Sequence, residues 1–311
     1  MRDLAPNRGA RGGEAHRWPV VLRTVQPTST LNAPSEPPPP GASSRSFNRA
    51  FKDLAQGFQQ RELWLHLGWQ DIKQRYRRSV LGPLWITISM GMMVSGLGIL
   101  YSQLLDSPLS LKLPHLAVGF IIWNFIRGCV TEGTEIFISN EGLMKQLPAS
   151  LSVHIFRLVW RQTLFFAHNL VIYFVLLAIF WMPISWNVVS VVPALALIAV
   201  NGVWVALLFG VVSTRFRDVP PVVESIMTMA LFMSPITWGV FEIARKPGSE
   251  WRAIFADINP LSHYIAIFRD PLIGFDQHLY HWVVVLAITA LGWGLALVVL
   301  RNYRARVPYW V

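Results

Sequence analysis

A run of uncharged residues directly behind a basic cluster is the feature that most limits the fold of this chain. The cluster occupies residues 73–78, and the 27 residues that follow, 79–105, carry no charge. A helix of about 20 apolar residues crosses a bilayer core about 30 Å thick. Lys and Arg concentrate in the cytoplasmic flanks of such helices. The sequence therefore predicts a membrane span whose N-terminal end lies on the cytoplasmic side.

Composition supports several spans rather than one. Hydrophobic residues make up 53% of the 311 residues, and charged residues 14%, against about 25% charged in an ordinary soluble domain. The net charge of +10 does not indicate nucleic-acid binding, because the basic residues lie beside apolar segments. Cys129 is the single cysteine, which excludes an internal disulfide and a CxxC metal site. We therefore expect an all-α membrane protein of several spans.

The uncharged segments predict six transmembrane helices, near residues 79–105, 113–130, 155–181, 188–212, 221–240 and 279–300. The inner flanks of these spans would hold fourteen Lys and Arg residues, and the outer loops five. The outer five are Lys112, Arg245, Lys246, Arg252 and Arg269. This asymmetry predicts a multi-pass protein of the plasma membrane with both termini in the cytoplasm.

The predicted spans divide the chain into four regions. Residues 1–46 are rich in Pro, Gly, Ser and Arg, which predicts a disordered cytoplasmic tail. Residues 47–78 would form an amphipathic interface helix region, residues 79–300 the transmembrane domain, and residues 301–311 a cytoplasmic C-terminal tail. The interface helix is predicted from an apolar stripe, with a helix packed on the bundle as the alternative. The stripe consists of Phe58, Leu65, Trp69, Ile72 and Tyr76.

Two segments between the spans are predicted to form short helices. Residues 131–150 carry alternating charges, so we expect a short cytoplasmic helix there. Residues 241–276 contain Pro247, Pro260 and Pro271, and no piece between these prolines is long enough to cross a bilayer. Two short re-entrant helices at the outer rim are therefore predicted before the last span.

Ionisable chemistry is sparse in the predicted spans. The sequence contains no P-loop, no HExxH motif, no zinc-like His/Cys spacing and no DxD-like pair. Glu224 is the strongest candidate for a coupling carboxylate. His115, His154 and His168 fit either a proton relay or ordinary packing. We therefore expect no metal, no cofactor and no enzymatic activity in this chain, and a partner that supplies any energy.

Aromatic and small residues give weaker indications. The chain has 14 Trp and 7 Tyr, many at span ends, where such rings favour the membrane interface. Rings elsewhere would suit a carbohydrate path, because aromatic faces stack on sugar CH groups. The candidates are Trp85, Tyr101, Trp123 and Trp238. Small residues that could allow close helix packing are Gly91, Ser95, Gly96, Gly98, Ala290 and Gly294.

Several motifs occur in order along the chain. They are QDIKQRYRRSVLGPLW at 70–85, NEGLMKQLP at 140–148, RFRDV at 215–219, NPL at 259–261 and YRARVPYWV at 303–311. Together they resemble the motifs of one family, the permease subunits of polysaccharide-exporting ABC transporters, which include the O-antigen and teichoic-acid exporters. The resemblance covers about residues 51–311. Within the family, the chain is most similar to mycobacterial permeases for the lipid-linked galactan precursor of the arabinogalactan cell wall.

The resemblance implies a homodimer with two ATP-binding subunits, ATP and Mg on those subunits, and a polyprenyl-diphosphate-linked glycan as substrate. It implies an interface helix at 58–76, a coupling helix at 134–147 and paired gating helices at 246–272. The residues that would meet the diphosphate are Lys73, Arg75, Arg77 and Arg78. ATPase coupling would involve Glu135, Asn140, Glu141, Lys145, Arg215, Arg217 and Asp218. The outer gate would include Trp251, Phe255, Tyr264 and Phe268.

Alternatives remain open at this stage. Teichoic-acid or O-antigen export would use the same mechanism, and the residues do not separate these substrates from galactan. A polyprenyl-linked glycosyltransferase is a different class, and it would need acidic residues in an interfacial loop. A scaffold without transport is a third reading. No nucleic acid is expected as a partner.

Overall fold

The computed structural model describes residues 46–146, 149–182, 185–239 and 250–311, without the side chains of 250–253. The tail predicted to be disordered therefore lies outside the described residues, apart from Ser46. Within the described ranges the chain is helical and contains no strand, which confirms the all-α prediction.

The helices follow one another with short connections. They are α1 (Phe47–Gln59), α2 (Arg61–Arg75), α3 (Leu84–Leu104), α4 (Leu109–Ser139), α5 (Glu141–Gln146), α6 (Leu151–Phe180), α7 (Val191–Arg215), α8 (Val219–Met233), α9 (Glu250–Ile258), α10 (Pro260–Leu272), α11 (Leu279–Tyr303) and α12 (Val307–Trp310). A 3₁₀ turn, Trp186–Ser190, leads into α7.

Among the described residues, five helical segments are long and apolar enough to cross a membrane. They are α3, α4, α6, the 3₁₀ turn with α7, and α11. The sixth predicted crossing corresponds to α8, which is apolar but has 15 residues. At 1.5 Å per residue it is about 22 Å long, short of the bilayer core. The structure confirms a membrane protein of several spans and does not confirm a sixth full crossing.

The end of α8 explains its short length. Ser234 has an extended backbone with φ −89° and ψ 147°, and Pro235 follows. The residue before a proline is driven away from the helical region, so the helix ends inside the bundle. Asn259, which precedes α10, donates from Nδ2 to the buried Ser234 Oγ at 3.0 Å. The chain beyond α8 thus meets the start of α10 among the spans.

Helix α10 is a short helix packed into the bundle. Its residues 262–269 are all buried, and it contacts α4, α7 and α11. The Tyr264 hydroxyl donates to Asn201 Oδ1 on α7 at 2.8 Å. At its other end, Arg269 Nη1 donates to the Pro235 carbonyl and lies 3.3 Å from His115 Nε2 of α4.

Small residues bring α4 and α7 into close contact. A Cβ added at Gly133 of α4 would lie 2.8 Å from the Cα of Ala206 on α7. A Cβ at Gly210 would lie 3.0 Å from the Gly133 carbonyl, and one at Gly202 would lie 2.9 Å from Cys129 Sγ. Spacing of four residues along each helix places these residues on one face. The core of the molecule lies along this crossing.

The N-terminal region contains two helices, and the second of them, α2, covers most of the range 58–76 over which the interface helix is predicted. The break is at Gln60, which leaves the helical conformation with φ −76° and ψ 36°. The predicted stripe also divides, since Ile72 is buried whereas Phe58 and Trp69 are exposed. Helix α1 packs on α6, where Ser152 donates to Asp53 through both its backbone N–H and its hydroxyl.

Candidate functional site

A cavity of about 400 Å³ lies between the end of α2 and helices α3, α4 and α6. Each spanning helix contributes residues spaced three or four apart, which places them on one helix face. The lining residues are Arg75, Tyr76, Trp85, Ile86, Ser89, Met90, Met93, Ile121, Asn124, Phe125, Gln162, Phe165, Phe166 and Asn169. We call this cavity the cleft.

Two amide groups in the cleft wall lack partners. Gln162 and Asn169 of α6 are 4% and 5% exposed, and Gln162 Nε2 and Asn169 Oδ1 form no hydrogen bond. A buried polar atom without a partner costs about 1–3 kcal/mol. A ligand that supplies both a donor and an acceptor would remove that cost. One amide offers a donor and the other an acceptor, which matches the two roles of a hydroxyl group.

A cation and aromatic rings surround these amides. The Arg75 guanidinium lies 5.2 Å from the centre of the Phe165 ring, within the range of a cation–π contact. Of the four basic residues predicted to bind the diphosphate, Arg75 lines the cleft. Lys73, Arg77 and Arg78 are exposed close to it in the chain.

The structure does not bring the four predicted channel aromatics together. Trp85 lines the cleft. Trp123 is 2% exposed in the core of α4, and the Tyr101 ring lies 5.8 Å from Lys112 Nζ. Trp238 donates from Nε1 to the Phe232 carbonyl at 3.2 Å, beyond the end of α8. A common aromatic path therefore does not form among these four residues within the chain.

A network of ion pairs lies where α2, α4 and α6 meet. Arg157 donates from Nε and Nη2 to the two carboxylate oxygens of Asp71, at 2.9 and 2.5 Å. Arg161 donates to Asp71 at 2.8 Å and to Glu132 at 2.5 Å. The third Arg157 bond, from Nη1, reaches Asn140 Oδ1 at 3.1 Å. The network thus joins the helix before the cleft to the residue at which α4 ends.

The predicted coupling residues gather at the same end of the bundle. In α5, Glu141 pairs with Lys145, and this hydrogen bond holds the pKa of Glu141 below its usual value. Arg217, between α7 and α8, donates to the Trp310 carbonyl of α12 at 3.3 Å. Arg215 lies 6.0 Å from the Trp310 ring, and α12 also contacts α5. Glu135 and Asp218 are exposed.

The predicted outer-gate residues divide between surface and core. Phe255 of α9 is half exposed, whereas Tyr264 and Phe268 of α10 are buried. The Phe268 ring lies 5.4 Å from the ring of Phe166 on α6, so it belongs to the core behind the cleft. The Trp251 side chain lies outside the described residues.

The candidate coupling carboxylate Glu224 has a basic partner. It pairs with Arg127 of α4, and both side chains are partly exposed. Their charges therefore offset one another near the start of α8. No group of three His, Cys, Asp or Glu side chains that could hold a metal ion occurs in the part of the chain that the structure describes.

Comparison with known proteins places this architecture in a family. The family model described as ABC-2 type transporter matches residues 62–273, more than half of the chain. The chain belongs to the ABC-2 type transporter family. The match includes the cleft and the ion-pair network, and it stops before the last span, α11.

One relative of this ABC-2 type transporter chain has a named role. It is the O-antigen export system permease protein RfbA of Klebsiella pneumoniae, which is 23% identical over 227 residues. The aligned region covers 71% of this chain and 84% of the relative.

Sequence reasoning missed the amide residues of the ABC-2 type transporter cleft and its ion-pair network. Gln162 and Asn169 were not predicted as site residues because they are uncharged, although amide side chains inside a span are themselves unusual. Their spacing of seven on α6 was the available signal. Asp71 and Arg157 are 86 residues apart, and no local pattern relates them.

Proposed function

We propose that this chain is the permease subunit of an ATP-driven exporter, which moves a polyprenyl-diphosphate-linked polysaccharide from the cytoplasm across the plasma membrane. Family membership and the likeness to RfbA support export of a polysaccharide as the broad class. The observation that carries the proposal is the pair of unpartnered amide atoms of Gln162 and Asn169, in a cleft with Arg75 at its edge.

The position of Arg75 suggests how a lipid-linked glycan binds. A diphosphate favours Arg forks and Lys point charges, and four such residues lie at 73–78. Arg75 alone among the four lines the cleft. A diphosphate bound at this rim would direct its first sugars to the cleft, where the hydroxyl groups meet Gln162 and Asn169.

Energy would come from a separate ATP-binding subunit that carries ATP and Mg. The surface formed by α5, the turn at 216–218 and α12 would dock this subunit, with Glu135, Glu141, Lys145 and Asp218 exposed on it. Displacement of Asn140 would reach α2 through Arg157 and Asp71. We propose a complex of two permeases and two ATP-binding subunits, with the termini in the cytoplasm.

Galactan of the arabinogalactan cell wall is the glycan that we propose, on the basis of the motifs at 70–85 and 303–311. Galactan is an uncharged chain of hydroxyl-bearing sugars, which suits amide groups in the cleft. Export of O-antigen or teichoic acid would use the same permease architecture.

The test is export by a variant in which the amides are replaced. The double variant Gln162→Leu, Asn169→Leu keeps the side-chain volumes roughly constant and removes both amide groups that would form hydrogen bonds with the sugar. Loss of two hydrogen bonds of about 1 kcal/mol each corresponds to roughly a thirtyfold loss of export at limiting substrate. The measurement is ATP-dependent uptake of lipid-linked galactan by inverted vesicles that contain the ATP-binding subunit.

The matched control is Gln103→Leu, which changes an exposed amide of α3 outside the cleft. It should insert and export as the unaltered chain does. Normal export by the double variant would overturn the role of the cleft. Glycan transfer by the purified chain alone, without a nucleotide-binding partner, would favour the glycosyltransferase class instead.

A further inference from the structure

A second cavity, of about 470 Å³, lies at the end of the bundle away from α5. Its walls come from α9, α10 and the segment that leads into α11. The residues that matter are Asp257, Ser262, Asp270, Asp276, His278 and Tyr280. None of them lines the cleft, and none is among the individual residues predicted for the outer gate. We call this cavity the distal pocket.

Hydrogen bonds fix one wall of the distal pocket. The Tyr280 hydroxyl donates to Asp257 Oδ1 at 2.6 Å, and the Tyr280 ring stacks 4.0 Å from His281. His263 Nε2 lies 2.9 Å from the Asp257 carbonyl, which can only accept, so this nitrogen carries the proton. A second hydrogen bond joins His263 Nδ1 to His281 Nδ1, 2.7 Å away. The rings are thus held in one arrangement before any ligand arrives.

Other polar groups in the distal pocket form no hydrogen bond within the described part of the chain. Ser262 is 5% exposed, and its hydroxyl has no hydrogen-bond partner. Asp276 and His278 are exposed and their side chains form no hydrogen bond within the described part of the chain, although the His278 ring interacts electrostatically with Asp270. A buried hydroxyl that faces a cavity without a partner indicates a ligand that supplies one.

The charge of the distal pocket restricts that ligand. Arg269 donates to Asp270 at 3.2 Å, which balances one carboxylate. Burial raises the pKa of Asp270, while the Arg269 charge acts in the opposite direction. Three carboxylates therefore line the distal pocket, those of Asp257, Asp270 and Asp276, against the single guanidinium of Arg269. Carboxylates accept hydrogen bonds from hydroxyl groups and repel phosphate groups.

We propose that the distal pocket binds an uncharged sugar segment of the exported chain and discriminates against phosphate-bearing polymers. Ser262 and Asp276 would bond sugar hydroxyls, and the Tyr280 and His278 rings would offer apolar faces. The inference rests on the proposed function for the identity of the chain that passes this end of the bundle. It adds a substrate class, because a teichoic-acid backbone carries a phosphate in each repeat and galactan carries none.

The experiment is a binding titration on the full chain in lipid nanodiscs. The probes are a neutral galactose hexasaccharide and a glycerol-phosphate hexamer, measured by calorimetry. Gln162→Leu with Asn169→Leu serves as the background, so that the cleft does not contribute. We expect binding of the neutral probe, and a Kd about five- to tenfold higher in Ser262→Ala, since one hydrogen bond is lost.

Asp276→Asn tests the charge with little change of shape. It should lower the ratio of the glycerol-phosphate Kd to the neutral-probe Kd by about fivefold or more, because a negative charge that repels the phosphates is removed. Asp106→Asn is the matched control. Asp106 is exposed and lies outside the pocket, and its left-handed backbone, φ 50°, is one that Asn tolerates. Both probes should bind this control as they bind the background.

Three results would overturn the proposal. These are no binding of the neutral probe, equal or tighter binding of the glycerol-phosphate probe, or unchanged affinity in Ser262→Ala and Asp276→Asn. Vesicle uptake by the unaltered chain is measured separately. If uptake is normal, failure of the titration removes the distal pocket and leaves the exporter assignment standing. If the titration succeeds without uptake, the pocket stands and the exporter assignment fails.

Discussion

At the residue scale, the two arginines of α6 link the helices beside the cleft, because their ion pairs and hydrogen bonds connect α6 to α2 and α4. Arg157 makes two parallel bonds to Asp71, and its third bond reaches Asn140. Only the planar guanidinium can form this fork, since a lysine ammonium acts as a point charge. Arg161 uses the same carboxylate of Asp71 and adds Glu132. Asp71 therefore compensates two cations at once.

Asp71→Asn should strongly destabilise the protein. The side chains of Arg157 and Arg161 are 16% and 17% exposed. Arg157 would therefore keep a largely buried charge without a carboxylate partner, and Arg161 would keep Glu132 alone. Breaking a buried pair costs about 3–5 kcal/mol. Thermal unfolding in detergent should show a clear fall in Tm. Glu62→Gln, an exposed change on the same helix, should shift stability by less than about 1 kcal/mol, and equal loss in both would contradict this account.

At the element scale, the crossing of α4 and α7 is built from residues without bulk. The small residues noted from the sequence are not the ones that form it. A Cβ at Gly91, Gly96 or Gly294 would meet nothing within 4 Å. Gly133 and Gly210 instead face a backbone across the crossing. A small residue thus allows close packing only where another helix lies against it, and the spacing of small residues along one helix does not predict which helix that is.

Gly133→Ala should separate α4 from α7. Its methyl group would lie 2.8 Å from the Ala206 Cα, and a backbone atom cannot move away as a flexible side chain can. Overpacking of this kind costs about 1–3 kcal/mol. Gly294→Ala is the matched control in open space, and it should be stabilising by up to about 1 kcal/mol from helix propensity. Equal Tm values for the two variants would contradict the packing described here.

At the scale of the whole molecule, the two ends of the bundle differ in kind. One end gathers α5, the turn at 216–218 and α12 with the ion-pair network. The other holds the α3–α4 connection and the distal pocket. The excess of Lys and Arg near the first end predicts that it faces the cytoplasm. The proposed docking of an ATP-binding subunit depends on this orientation.

Cysteine labelling tests the orientation with little background, because Cys129 is 1% exposed and is the single native cysteine. In intact cells, a membrane-impermeant maleimide should label Asp106→Cys, which lies between α3 and α4. Glu141→Cys, in α5, should react only after the membrane is permeabilised. Labelling of Glu141→Cys in intact cells would invert the topology and exclude the proposed ATPase contact.

The local chemistry of the sequence was enough to predict an all-α membrane protein and five of its six proposed spans. Residues 162–214 carry no charge over 53 positions, and an uncharged stretch of this length is typical of helices that lie within a membrane. The proline positions and the spacing of the apolar residues also predicted two short helices within 241–276, and their re-entrant position at the outer rim stays a prediction. These features depend on composition, length and backbone sterics, which are local properties.

Tertiary structure alone decided which polar groups meet. Asp71 joins Arg157 across 86 residues, α8 ends inside the bundle beside Asn259, and the amides of α6 open onto a cleft shared with α2, α3 and α4. A helix places a residue on a face by its own periodicity, but the neighbour of that face is chosen by packing among all helices. For this chain, the sequence by itself determined which long segments are apolar enough to cross a membrane, and the packing of the helices determined which polar groups line a cavity.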